Sequence, residues 1–86
     1  MYYVYLTKSK KDNKSYIGLT NDLRKRLMEH NQGLSKSTKY RRPWALVYYE
    51  AYASLKDAQT REQKLKKFKN SYAELRKRII NSFQEK

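Results

Sequence analysis

Apolar and aromatic residues in the first half of the chain occur in short runs and not at helical spacing. Residues 2–7 are almost all β-formers without polar alternation, which predicts a strand buried on both faces and central in its sheet. Residues 15–18, Ser-Tyr-Ile-Gly, predict a second strand that ends at a glycine. Residues 44–50, Trp-Ala-Leu-Val-Tyr-Tyr-Glu, have the length and composition of a third strand.

The first two strands are close enough in sequence to form an antiparallel hairpin. A polar loop at 8–13 joins them and is longer than a two-residue turn. With Thr7 placed opposite Lys14, Tyr5 lies opposite Tyr16 on the same side of the sheet. A slip of one residue would send the two tyrosines to opposite faces.

Three helices are predicted from their capping residues and from apolar positions three and four residues apart. The first covers about 22–31, after the N-cap candidates Thr20, Asn21 and Asp22. The second covers about 55–69 after Ser54, and the third about 72–83 after Ser71. Each serine is followed three residues later by an acid, as in a capping box.

The apolar stripes of the last two helices differ in one position. The third helix carries an unbroken core face, formed by Tyr72, Leu75, Ile79 and Phe83. The second carries Leu55, Ala58, Leu65 and Phe68, with Glu62 in the middle of the stripe. Burying an ionised carboxylate alone is costly, so Glu62 either pairs with a cation or holds a metal ion. Taken alone, the position favours an arginine partner.

The order of elements, β-β-α-β-α-α, predicts an α+β fold in which helices flank a small three-stranded antiparallel sheet. No repeat, linker or low-complexity segment interrupts it, so we expect a single domain over residues 1–86. Its core module covers 2–69, and the C-terminal helix at about 72–83 completes it.

Cysteine and histidine content excludes several kinds of site. The chain has no Cys and one His, which excludes disulfides, thiolate zinc sites and a cysteine nucleophile. The longest apolar run, 44–49, is far too short to span a bilayer, and no signal-peptide pattern precedes it. We therefore expect a soluble, cytoplasmic protein with no membrane partner.

The charge balance indicates a polyanionic partner. In 86 residues, 21 Lys and Arg oppose 8 Asp and Glu, for a net charge of +13. Such an excess destabilises a compact state unless an anion neutralises it, and nucleic acid, most simply DNA, is the anion that fits best. Two groups of cations suit phosphate contacts. One lies in the aperiodic loop at 32–43 and the other at the end of the second helix: Lys36, Lys39, Arg41 and Arg42, then Lys64, Lys66, Lys67 and Lys69.

Four further residues are candidates for chemistry, although each has an ordinary structural explanation. Tyr5 and Tyr16 form a cross-strand aromatic pair in the predicted register. On the first helix, His30 falls within the apolar stripe and Arg26 on its edge, so both face the sheet. The ordinary explanation for His30 is that it complements the helix dipole near a helix C-terminus, and for Arg26 that it pairs with an acid.

The combination of these four residues is more specific evidence for a catalytic site than any one of them. The sequence resembles the signature of the GIY-YIG nuclease family. It has Tyr3-Val4-Tyr5, then a ten-residue gap, then Tyr16-Ile17-Gly18, and this last segment matches the second half of the signature completely. Arg26 stands where the catalytic arginine of that family is found, and Glu62 stands where its metal-binding glutamate lies. The resemblance covers essentially residues 2–69 and is closest to the small stand-alone members.

The resemblance implies metal-dependent hydrolysis of a DNA phosphodiester. Glu62 would bind one Mg²⁺ or Mn²⁺, held weakly without substrate because water and phosphate oxygens complete the coordination. Arg26 would donate to the phosphoryl oxygens, where its forked geometry is favourable. Tyr16 would deprotonate the attacking water while Tyr5 orients it. His30 is the rival base, or the proton donor to the leaving oxygen.

Sequence specificity should be low, because nothing in the chain resembles a base-reading helix or a zinc finger. Recognition would then rest on nucleic-acid structure or on a protein partner that supplies specificity. The alternative is a non-catalytic module of the same fold that binds DNA or RNA. A third reading is an interaction subunit that delivers its partner to DNA.

Overall fold

The computed structural model describes residues 1–85 and contains one antiparallel sheet with helices around it. The elements are β1 (Tyr2–Ser9), β2 (Ser15–Thr20), α1 (Leu23–Asn31), a 3-10 turn (Lys39–Arg41), β3 (Trp44–Tyr52), α2 (Leu55–Lys67), α3 (Lys69–Arg78) and α4 (Ile80–Glu85). The strand order is β2-β1-β3, so β1 is central, as its unbroken run of β-formers predicts. The α+β class and the three-stranded antiparallel sheet are confirmed.

The two faces of β1 are covered by different elements. Val4 and Leu6 point to the face that packs against α2, α3 and α4 and forms the hydrophobic core. Tyr5 and Thr7 point to the opposite face, because successive side chains of a strand alternate. Both faces are buried: Val4, Tyr5, Leu6 and Thr7 are each at most 3% exposed.

The predicted hairpin register is wrong by two residues. Thr7 pairs with Tyr16 and not with Lys14, and Tyr5 lies opposite Gly18. The cause is that β1 runs two residues further than predicted, which shortens the loop and moves the pairing. Because the shift is even, Tyr5 and Tyr16 still lie on the same face of the sheet.

Ser9 explains why β1 extends so far. Its hydroxyl accepts hydrogen bonds from the backbone N–H groups of Lys11 (3.1 Å) and Asp12 (3.3 Å), and donates one to the Arg41 carbonyl (2.6 Å). Asn13 completes the turn with a φ of 61°, a value that asparagine tolerates better than most residues. The turn is thereby attached to the basic loop, residues 32–43.

Helix α2 packs against β1 and β2. It starts after Ser54, whose hydroxyl accepts from the Asp57 N–H at 3.4 Å, as predicted. Ala58 and Leu65 are buried. Leu55 and Phe68, expected in the same stripe, are 42% and 59% exposed because they lie where the helix begins and ends.

A charged cluster fixes α2 to β3. The Arg61 guanidinium donates to both carboxylate oxygens of Glu50, at 2.9 Å each, and the hydroxyls of Tyr48 and Tyr52 donate to the same carboxylate. Burial works against ionisation of Glu50, but the Arg61 charge and the two hydroxyls outweigh it and hold its pKa below the usual value. The cluster thus joins α2 to β3 at the residue next to Glu62.

The boundary between the last two predicted helices is also different. Helix α2 ends at Lys67, two residues before the predicted end at 69, and Phe68 has extended backbone angles (φ −109°, ψ 110°). Helix α3 then begins directly at Lys69. The predicted cap Ser71 therefore lies inside the first turn of α3 and does not start it.

The single helix predicted over 72–83 is divided at Ile79, whose angles (φ −114°, ψ 26°) are not helical. The bend turns the chain back over the core, so that Leu75, Ile79 and Phe83 are all buried. Lys8 holds the end of this segment: its ammonium donates to the Phe83 carbonyl at 2.9 Å. Among residues 1–85 no helix has the length and apolar character needed to cross a membrane.

Candidate active site

Tyr5 is the centre of a buried polar cluster on the α1 side of the sheet. Its ring lies directly over Gly18, where a Cβ atom would overlap the Tyr5 hydroxyl and Cζ. Glycine is therefore required at this position for space. The Tyr5 hydroxyl is hydrogen-bonded to Nε2 of His30 at 2.8 Å.

His30 connects Tyr5 to the basic loop. It is fully buried, as its place in the α1 stripe predicts, and its Nδ1 lies 2.7 Å from the Thr38 hydroxyl. Burial and, second, the nearby Arg26 charge lower the pKa of His30, so the imidazole is neutral. A neutral imidazole donates at one nitrogen and accepts at the other, so Tyr5, His30 and Thr38 form a continuous hydrogen-bonded chain.

Aromatic rings from β2 and β3 pack beside the His30 ring. The centroid of the Tyr16 ring lies 5.2 Å from that of His30 and 6.0 Å from that of Trp44, both in edge-to-face arrangements. Trp44 is buried and its indole N–H donates to the Thr38 carbonyl at 2.9 Å. Thr38 is thus held through both its side chain and its backbone.

Arg26 lies at the partly exposed edge of the cluster, beside Tyr5. Burial raises the pKa of the Tyr5 hydroxyl to about 12, while the Arg26 guanidinium acts in the opposite direction. Tyr5 is therefore protonated near neutral pH. On its own helix, Arg26 pairs with Glu29 at 3.3 Å, and its side chain remains 32% exposed.

Glu62 approaches the cluster from α2, and its partner is not the arginine that its position favours. The carboxylate lies 3.2 Å from the ammonium of Lys66, one helical turn further on, and is 21% exposed. The adjacent Arg61 is unsuitable because Glu50 already binds it. Glu62 is close enough to influence Tyr5 electrostatically, and the Lys66 ammonium lies 5.9 Å from the centroid of the Tyr16 ring.

The surroundings of Glu62 suit a cation that substrate helps to hold. Within residues 1–85, no three His, Asp or Glu side chains come together as a metal cage. A single carboxylate is nevertheless a usual protein contribution to Mg²⁺, whose other ligands are waters and phosphate oxygens. The competing Lys66 side chain is 47% exposed and ends a flexible stem, so a phosphate and a divalent ion can replace it.

The predicted candidates therefore fall into two layers. Tyr5 and His30 are buried and contact each other, whereas Tyr16, Arg26 and Glu62 are partly exposed and accessible from outside. The sequence analysis missed Thr38, because the aperiodic basic loop gives no sign that this residue turns inward. It also missed the pairing of Glu62 with Lys66, although their spacing of four residues is the ordinary signal for a helical ion pair.

The basic loop uses part of its charge internally. The Arg41 guanidinium donates to Asp12 at 2.9 Å and lies 4.9 Å from the centroid of the Trp44 ring. Arg42 donates to the Lys39 carbonyl at 2.7 Å while remaining exposed, and Lys36 is exposed. The second group of cations is divided: Lys64, Lys66 and Lys67 form the last turn of α2, and Lys69 opens α3.

Known proteins are similar to this chain in sequence and in fold. The sequence model of the GIY-YIG catalytic domain matches residues 1–79. UPF0213 protein CPE1444 of Clostridium perfringens is 46% identical over 68 residues, which are 78% of this chain and 72% of the relative. UPF0213 protein YazA of Bacillus subtilis is 40% identical over 75 residues, 86% of this chain and 75% of the relative. The solution structure of UPF0213 protein BH0048 from Bacillus halodurans has a TM-score of 0.54 at 32% identity, covering 87% of this chain and 81% of that one.

Proposed function

This chain belongs to the GIY-YIG catalytic domain family, and from that premise we propose that it is a divalent-metal-dependent endonuclease that hydrolyses DNA phosphodiester bonds with low sequence specificity. The observation that carries the proposal is the two-layered cluster. Tyr16, Arg26 and Glu62 are accessible at its surface, and the hydrogen-bonded Tyr5 and His30 lie behind them.

Arg26 is the residue that binds the reacting phosphate. Its guanidinium is partly exposed, and Glu29 occupies it through a single contact at 3.3 Å. A planar guanidinium donates to two phosphoryl oxygens at once, where negative charge grows during attack. Burial works to lower the pKa of Arg26, but Tyr5 and Glu29 outweigh it and raise that pKa, so the guanidinium stays charged.

Glu62 is the residue that would hold Mg²⁺ or Mn²⁺. A bound cation would add positive charge where the phosphoryl oxygens become more negative. In the free protein, Lys66 neutralises the carboxylate at 3.2 Å. Metal affinity should therefore be weak without substrate and should rise when phosphate oxygens complete the coordination.

Proton transfer falls to Tyr16, because it is the accessible tyrosine of the cluster. Tyr16 takes the proton of the attacking water. Tyr5 orients that water and is itself held by His30. Since His30 is fully buried, it exchanges protons with the site only through Tyr5.

Exposed lysines and arginines outside the site supply affinity for DNA without base-specific contacts. Arg42, Lys36 and Lys67 are exposed and are therefore available for contacts with phosphates, which are the same in every sequence. No second recognition element accompanies them within residues 1–85. Low sequence specificity follows.

The decisive experiment is divalent-ion-dependent nicking of supercoiled plasmid by wild type and Glu62→Gln. The substitution keeps side-chain volume and removes the charge that holds the cation, so nicking should disappear. The melting temperature should change little, because a partly exposed ion pair contributes only about 0–1 kcal/mol. Glu74→Gln is the matched control: it removes the same charge from an exposed position on α3 and should nick like wild type.

Two outcomes would contradict the proposal. Nicking by Glu62→Gln at the wild-type rate would remove Glu62 from the metal site. Wild type that cleaves no duplex, branched or single-stranded DNA with any divalent ion would favour a non-catalytic module that binds DNA or RNA. The observation on the side of that alternative is Lys66, which leaves Glu62 neutralised and the surface cationic.

A further inference from the structure

A cleft of about 370 Å³ lies at the open edge of β2, beside the candidate active site. We call it the edge cleft, and its lining is Ser15, Tyr16 and Ile17 of β2, Leu65 and Lys66 of α2, and Lys69 and Tyr72 of α3. Its volume is at the lower end of the roughly 300–1,000 Å³ typical of small-molecule sites. It has room for one nucleoside and not for a length of duplex.

The edge cleft is continuous with the candidate active site. Two residues belong to both places: Tyr16 lines the cleft, and so does Lys66, the partner of Glu62. Tyr16 also faces the His30 ring. A ligand in the cleft therefore lies next to a phosphate placed at Tyr16.

The lining combines three kinds of contact. Ile17 and Leu65 provide an apolar floor, the rings of Tyr16 and Tyr72 provide aromatic surface, and two lysines add positive charge. A purely apolar partner makes no use of the ammonium groups, and a phosphate alone makes no use of the rings. A nucleotide uses all three, because bases stack on aromatic side chains while lysines bind the flanking phosphates.

Tyr72 is held ready for such stacking. Its hydroxyl is hydrogen-bonded to the Ser15 hydroxyl and accepts from the Arg76 guanidinium at 3.0 Å. Two partners from different elements fix the ring in place before any ligand arrives. Little side-chain entropy is then lost on binding.

We propose that the edge cleft is a subsite for one unpaired nucleobase next to the phosphate bound at the candidate active site. The inference rests on the proposed function and narrows its substrate. A base inside a duplex is stacked and paired and cannot enter the cleft. DNA with a bulged or otherwise unpaired nucleotide should therefore bind more tightly than the same duplex fully paired.

The test measures binding and not cleavage, with the full chain in EDTA. Fluorescence anisotropy would compare a 20-base-pair duplex with the same duplex carrying one bulged thymidine. We expect wild type to prefer the bulged duplex by about tenfold, as one base–aromatic stack allows. Tyr72→Leu keeps apolar volume and removes the ring, so the preference should fall to near one. Tyr72→Phe keeps the ring but loses the two hydrogen bonds that hold it, so it should retain most of the preference.

A second measurement needs no variant. Thymidine monophosphate titrated into ¹⁵N-labelled wild type should shift the amide signals of Ser15, Ile17 and Leu65, and leave Tyr49 on the far strand unchanged. Equal affinity of wild type for the two duplexes, or nucleotide shifts that miss the cleft, would overturn the inference. Shifts that depend on protein concentration without nucleotide would identify a second copy of the chain as the occupant.

Failure of the subsite can be distinguished from failure of the proposed nuclease function. A protein that prefers the bulged duplex through Tyr72 but never cleaves retains the subsite and loses the endonuclease function. A protein that nicks DNA through Glu62 but binds both duplexes equally retains the function and loses the subsite.

Discussion

Replacing Gly18 with alanine should damage the candidate site through one side chain, Tyr5. A Cβ on Gly18 would occupy the space of the Tyr5 hydroxyl and Cζ, and its distance to Cε1 would be 2.8 Å. The ring must then move away. Because the same hydroxyl is bonded to His30 at 2.8 Å, that movement also breaks the hydrogen-bonded chain.

Two contributions set the size of the effect. Overpacking a buried site costs about 1–3 kcal/mol. Leaving a buried imidazole nitrogen without its partner costs about 1–3 kcal/mol more. Allowing for their overlap, we expect Gly18→Ala to lower the free energy of unfolding by about 2–5 kcal/mol. For a domain of this size that corresponds to a fall in melting temperature of roughly 8–40 °C.

A double-mutant cycle separates the ring from the backbone as the cause. Tyr5→Leu removes the distal ring atoms that the new Cβ would meet. In that background Gly18→Ala should cost less than about 0.5 kcal/mol, or stabilise slightly because alanine restricts the unfolded chain. Urea unfolding followed by circular dichroism measures all four proteins. The same cost in both backgrounds would refute the reasoning and place the requirement for glycine in the backbone.

Two further predictions concern tyrosine hydroxyls. Tyr16→Phe should keep the fold and the DNA affinity. Its single-turnover cleavage rate with saturating Mn²⁺ should fall by about 10²–10⁴-fold, the usual loss for a general base. Normal cleavage by Tyr16→Phe together with none by His30→Ala would assign the base to histidine. The free energy of unfolding should fall as pH rises from about 10 to 12. Burial raises the pKa values of Tyr5, Tyr48 and Tyr52 to about 12, so in this range the folded state keeps protons that the unfolded state releases. Urea midpoints across that range measure the effect, and a flat profile would contradict it.

The order of elements was predictable because it depends on local signals. The β-formers at 2–7, the capping serine before α2 and the capping aspartate before α1 each act within a few residues, and all three elements begin close to where they were expected. The hairpin register and the bend at Ile79 were not predictable from the sequence, since both depend on contacts between residues far apart in the chain. Ser9 reaches Arg41 across the turn, and the α4 segment is held by a lysine on β1.

The candidate site was predicted in its residues and not in its connections. The sequence marked Glu62 as out of place on an apolar stripe, but its environment proved partly exposed and its partner a lysine. It placed His30 towards the sheet, but only the folded chain brings Thr38 within 2.7 Å of the imidazole. Such contacts join segments whose separation in space no local pattern encodes.

The central position of β1 determines how the site moves. Amides of this strand are bonded to neighbours on both sides, and Tyr5 shares its backbone with the core residues Val4 and Leu6. Hydrogen exchange at Tyr5 should therefore require global unfolding, whereas the basic loop and the ends of α2 can open locally. The buried layer of the site is as rigid as the fold itself. Adaptation to a substrate has to come from the side chains of Arg26, Glu62 and Lys66, which are partly or largely exposed at the surface of the site.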